Sequence, residues 1–223
     1  MSNLSKVGGP NGSREIPKFI WRGVQALRPV HDLNERCLEL LTQLARSEAQ
    51  RLGPPIVSQY QTLWRGLNGS ARKRAADMPF LLMDVHFHDA DWWRAAQRSQ
   101  PHRRPKSPQD VAFTGKVAAE LMREAVMLAW NTVSLDRGAA SILLGMTPAV
   151  SDIIAEFGPQ DVERIATRYS QYLRPRWQDF PAFWVKLLTA ARDADEDALH
   201  ECRLHGVQLM GGELLPRLDG KFV

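Results

Sequence analysis

RGAASILLGMTPAVSDIIAEFGPQDVERIATRYSQYLRPRW, residues 137–177, spells out three short helices by its own punctuation. The first runs from Arg137 to Leu144 and stops at Gly145. Thr147 is an N-cap with Pro148 at the first helical position, and the helix it starts ends at Phe157-Gly158. Pro159 opens the third, where Asp161 and Glu163 meet the positive end of the helix dipole. Ile142, Leu143, Met146, Val150, Ile153, Ile154, Phe157, Val162, Ile165 and Ala166 are expected to give all three a small shared core. A tight glycine turn between two short helices is what a helix-turn-helix unit requires. The predicted fold is therefore all-α, a multi-helix orthogonal bundle with a helix-turn-helix-like unit in its C-terminal half.

The acidic start of the third helix sets a limit on what this unit can touch. A helix that reads DNA bases exposes Arg, Lys, Asn or Gln near its beginning, and Asp161 and Glu163 would repel phosphates. The cations come later: Arg164 and Arg168 on the helix, then Arg174 and Arg176 in the extension Arg174-Pro175-Arg176-Trp177. These four arginines are the candidate nucleic-acid-binding residues, placed for phosphate contact.

Working upstream, Ser107, Pro108 and Asp110 occupy the N-cap, N1 and N3 positions of a helix expected to reach about Ser134. The apolar face of that helix is wide, which implies burial on more than one side. Before it lies RSQPHRRPK, residues 98–106, a basic, proline-punctuated linker. The expected organisation is a disordered lead at 1–17, an N-terminal helical subdomain at 18–97, the linker, and a C-terminal helical subdomain at 107–223. Within the first subdomain, 18–28 reads as a short docking helix. Asp32 with Glu35 forms a capping box for a helix over 32–52. Another helix is expected at 55–66, and Ser70 is expected to cap one over 71–76. The apolar run from Phe80 reads as helical from its surroundings, with Asp89 capping a turn that presents Trp92 and Trp93. Two adjacent tryptophans cannot share one inward face, so Trp92 and Trp93 are assigned to a protein interface. Helices at 180–191 and 193–210 follow, the second ending at Gly211-Gly212, with a loose tail from Leu214.

The segment from Ala129-Trp130 through Trp177 resembles the FlhD subunit of the bacterial flagellar master activator. The likeness rests on a long helix, the alanine-rich step Ala139-Ala140-Ser141-Ile142-Leu143-Leu144-Gly145-Met146, then Ile153-Ile154-Ala155 and Val162-Glu163-Arg164-Ile165-Ala166. It covers roughly a quarter of the chain. The resemblance implies an all-helical regulator that dimerises and acts on promoters with a second subunit, FlhC. The first hundred residues are only faintly similar to that subunit, and they lack its cysteine cluster for zinc. No cysteine stands near Tyr172–Arg176 to match the one that cross-links the FlhD dimer.

Composition bounds the remaining possibilities. Of 223 residues, 44% are hydrophobic and 24% charged, an ordinary globular balance that allows a core without staples. The net charge of +4 is mild, so the placement of cations matters more than their number. Arg72-Lys73-Arg74 and Arg103-Arg104 with Lys106 are further basic clusters. Two cysteines, Cys37 and Cys202, make no disulfide framework. MSNLSKVGGPNGSRE lacks the apolar core of a secretory signal, and no run approaches the roughly 18 apolar residues of a membrane span. A cytoplasmic protein is expected.

Asp84, His86, His88 and Asp89 form the tightest group of metal-capable side chains, but zinc needs three or four oriented ligands, and structural histidines are the simpler expectation. His200, Cys202 and His205 are a weaker group of the same kind. No GxGxxG, GxxxxGK[ST], HExxH or GxSxG occurs. Neither a cofactor, a metal site nor an enzyme is expected. The expected partners are double-stranded DNA and a protein subunit or further copies of this chain. A helical adaptor that binds only proteins is the alternative.

Overall fold

A run of nonpolar side chains at three- and four-residue steps makes helix α1, Lys18–Arg46, continuous through Pro29. From Val30 onward its inner face, with Leu33, Cys37, Leu38 and Leu41, is buried without a gap, and this packing outweighs the one backbone bond a proline removes. Asp32 therefore does not cap a new helix; it lies within α1, 4.0 Å from Arg28 on the exposed side. In this computed structural model the described residues are 18–47, 54–100 and 113–214. The expected lead at 1–17, the linker from 101, the Ser107-Pro108 helix start and the tail beyond 214 lie outside them.

Among the described residues the fold is all-α apart from two two-residue strands. Pro54-Pro55 starts α2, Pro55–Gln59, and a break at Tyr60 separates it from α3, Gln61–Arg65, where one helix was expected. Asn68, not Ser70, caps α4, Gly69–Ala76, by accepting from the Ala71 amide at 2.8 Å. After the short strand β1, Met83–Asp84, come α5, Ala90–Gln97, and α6, Gly115–Leu135. The punctuated helices follow: α7, Arg137–Leu144; α8, Pro148–Ala155; and α9, Pro159–Tyr169. Strand β2, Arg174–Pro175, precedes α10, Pro181–Asp193, and α11, Glu196–Leu214, which runs past Gly211-Gly212.

The expected helix over Phe80 is absent. Residues Phe80–Val85 instead run extended through the core, all buried. An extended buried backbone must find its hydrogen bonds elsewhere, and each partner is non-local. The Leu81 amide donates to the Leu143 carbonyl at the end of α7, at 2.8 Å. Asn34 of α1, fully buried, donates to the Phe80 carbonyl at 2.9 Å and accepts from the Leu82 amide at 2.7 Å. Met83 and Asp84 pair antiparallel with Pro175 and Arg174.

Around this segment α6 packs against α1, α7, α8 and α9, while α10 packs against α3, α4 and α11. One buried cluster takes residues from both sides of the 98–106 segment, so the two expected subdomains share a single core. Its bulkiest members are aromatic, including Trp64 against Trp184 at 5.7 Å and Phe80 against Trp177 at 5.5 Å. Cys37 is an inert part of it, its thiol pushed up by burial. No single described helix is long and apolar enough to cross a membrane.

Gly206 is where α11 meets Phe80: a methyl there would overlap the ring, whereas one at Gly211 would meet open space. Gly206→Ala is expected to lower stability in denaturant unfolding by about 1–3 kcal/mol through overpacking. Gly211→Ala, on an exposed helical site, is expected to raise it by up to about 1 kcal/mol. Equal effects of the two would refute this packing.

Candidate functional site

The 137–177 region folds into the three helices its punctuation predicts. Asp136 caps α7, accepting from the Ala139 amide at 3.1 Å, and Gly145 ends it in the left-handed conformation at φ 66°. Three residues later Thr147 caps α8, and the chain bends by 118° between the two helices. The Ser141 hydroxyl locks the corner by donating to the Met146 carbonyl at 2.8 Å. Asp161 starts α9 by accepting from the Gly158 amide at 3.0 Å.

The outer faces are poor in free cations. α8 exposes Pro148, Ala149, Asp152, Ala155 and Glu156, and α9 exposes Gln160, Glu163, Thr167 and Arg168. Arg137 of α7 is paired with Asp152. Arg123 of α6 grips Glu163 through two hydrogen bonds of 2.6 and 2.7 Å. That pair offsets the acidity of the α9 start and ties it to α6 at the same time.

Three of the four candidate arginines are spent inside the fold. Arg164 turns toward α5, where it donates to the Gln97 carbonyl at 2.7 Å and also engages Ser99 and Asp161. Arg174 faces Asp84 across the strand pair, with Nε and Nη2 at 3.3 and 3.2 Å from one carboxylate oxygen. Arg176 is only 1% exposed. Its Nη2 donates to the Leu144 carbonyl at 2.5 Å, where the negative end of α7 favours a cation, and its Nη1 reaches Glu213 of α11 at 3.3 Å. Arg176 is thus corrected from a phosphate contact to a core cation, and Arg164 and Arg174 to fastenings between elements. Of the four, Arg168 alone is exposed with no ion pair among the described residues.

Trp92 and Trp93 are likewise not an exposed interface: they are 8% and 0% exposed. Adjacent helix residues point about 100° apart, but α5 is flanked over a wider arc than one packed face. Trp93 stacks on Phe87 at 5.9 Å and meets Phe157 from the α8 side. Trp92 lies between His86, Tyr169 and Tyr172. The signal in the sequence was a helix too short and too aromatic to have one dry side.

Asp84 and His86 form a buried polar corner beneath this aromatic group. Burial alone would raise the Asp84 carboxyl, but the charges of Arg176 and Arg174 outweigh it and hold Asp84 below its ordinary range. His86, in the left-handed region at φ 52°, stacks on Trp92 at 5.1 Å. Burial pushes its imidazole below the usual histidine range, with Asp84 opposing part of that shift. His86 and His88 sit with ring centres 6.3 Å apart, and no group of three or more metal-capable side chains is placed to hold an ion among the described residues.

A depressed histidine pKa means the folded state resists a proton that the unfolded chain accepts. That stability is full above the ordinary histidine range and declines as pH falls through it toward the depressed pKa of the folded state. The Asp84 contribution is lost only at more acidic pH, as its depressed pKa is crossed. His86→Asn, which tolerates the left-handed backbone, is expected to flatten the upper part of this decline in denaturant titrations at stepped pH. A variant with an unchanged profile would contradict the assignment. No family model matches this chain, and no curated protein and no solved structure shows significant similarity to it.

Proposed function

We propose that this chain is a DNA-associated regulator of transcription that works as an oligomer or with a partner subunit. The observation that carries the reading is the corner between α7 and α8: two short capped helices with three residues between them, the first a left-handed glycine, bent by 118°. That is the crossing range of helix-turn-helix units. The likeness of residues 129–177 to FlhD points the same way.

The electrostatics narrow the role of the unit. With Asp152 and Glu156 on its outer face and no exposed Lys or Arg, α8 is unsuited to read bases. DNA contact by this region is limited to Arg168, with Gln160 and Thr167 beside it on α9. A partner has a surface on offer in Leu135, 88% exposed at the end of α6, and Ile142, 65% exposed on α7. These two replace Trp92 and Trp93 as the interface of the proposal. They are also the observation that favours a protein-only adaptor as the second reading.

Mobility shift with genomic duplex fragments over a salt series tests the function. Binding that weakens linearly in log affinity against log salt is expected, and absent or salt-independent binding would overturn it. Leu135→Glu with Ile142→Glu is expected to reduce oligomer or complex in sedimentation while leaving helicity intact. A complex that survives both charges would remove the proposed interface.

A further inference from the structure

A second cationic surface is gathered on the turn Arg65-Gly66-Leu67. Arg46, at the end of α1, donates from Nη2 to the carbonyls of Arg65 and Leu67 at 3.2 and 3.4 Å. Arg65 donates from Nε to the Ala45 carbonyl at 2.8 Å. Arg72 of α4 donates from Nη1 to the Leu67 carbonyl at 3.3 Å, and its Nε is buried without a partner. The Arg192 side chain of α10 lies against Gly66, and Lys73 is exposed beside Arg72.

These groups differ from the arginines of the C-terminal half in what holds them. Arg164, Arg174 and Arg176 are neutralised by carboxylates. Arg46, Arg65 and Arg72 rest on backbone carbonyls and make no ion pair among the described residues, so each keeps its full charge. A guanidinium has five donors, and each of these spends one or two on the turn. Arg46 and Arg65 are exposed with part of their geometry already set, which reduces the entropy lost on binding, while Arg72 is half-buried with its Nε enclosed. At the α10 side of this surface Asp193 is paired with Arg192. No acidic residue lies in the first turn of α4.

We infer that Arg46, Arg65, Arg72, Lys73 and Arg192 form a docking surface for the phosphate backbone of duplex nucleic acid. Planar, preset forks match phosphate oxygens. A lipid surface fits less well, because among the described residues none of the large exposed apolar side chains lies on α2 through α4 or on α1 from Leu27 onward. The inference rests on the DNA-associated reading above and gives it the cations that the helix-turn-helix-like unit lacks.

The test uses the full chain, a labelled duplex of arbitrary sequence, and fluorescence anisotropy across a salt series. Lys73→Glu with Arg192→Glu leaves every carbonyl contact of the turn in place, so folding is preserved and checked by circular dichroism. The duplex affinity is expected to fall about tenfold or more at low salt, and the slope of log affinity on log salt to shallow by about two contacts. Arg168→Glu is expected to change both less. If the wild type binds duplex and the double variant binds equally well with the same slope, this surface is wrong and the regulator reading stands. If the wild type binds no duplex, both fail. Competition by poly-glutamate as effective as by unlabelled duplex would overturn the nucleic-acid assignment in favour of acidic protein.

Discussion

One buried cation organises this molecule. Arg176 enters the core from β2 with 1% of its surface exposed and joins three elements distant in sequence: the last carbonyl of α7, the backbone of β1, and Glu213 on α11. A charge so placed is tolerable only where several partners share it. Leu144 supplies a helix C-terminus and Glu213 a counter-charge, and the Asp84 carboxylate is held ionised nearby. The Arg176 backbone takes part as well, donating to the Leu82 carbonyl at 2.9 Å and accepting from Trp184 at 2.8 Å. Gly145 is necessary here for a second reason beyond its left-handed conformation, since a side chain on it would collide with the guanidinium.

The same arrangement separates structure from function among the basic residues. A cation that closes a core cannot also hold a phosphate, so the C-terminal arginines serve the fold, and Arg168 is left outside. Where guanidiniums rest on carbonyls instead, at the Arg65–Leu67 turn, the charge stays available. On the proposed function, the corner between α7 and α8 presents Ile142 to a protein rather than reading bases. A mild net charge of +4 is compatible with this.

Local signals were legible in the sequence wherever they acted alone. Thr147-Pro148, Gly145 and Asp161 announced the ends of α7, α8 and α9, because a cap or a left-handed glycine needs only its immediate neighbours. Asp89 likewise marked the start of α5, accepting from the Trp92 amide at 2.9 Å. What could not be read was whatever depended on distant partners. A two-residue strand has no period, so β1 was invisible until Arg174 and Pro175 lay beside it. The inward turn of Arg164, Arg174 and Arg176 depended on Gln97, Asp84 and Leu144, each at least 30 residues away. Asp32 looked like a boundary, yet the buried face of α1 overrode it.

The most direct measurement is denaturant unfolding of Arg176→Ala beside the wild type. If Arg176 is the core cation described above, its loss strands the Leu144 and Met83 carbonyls and leaves Asp84 and Glu213 undercompensated. A loss of about 3–5 kcal/mol is then expected, with duplex affinity unchanged in conditions where the variant is still folded. A variant as stable as the wild type but weaker on duplex would contradict the account and return Arg176 to the surface.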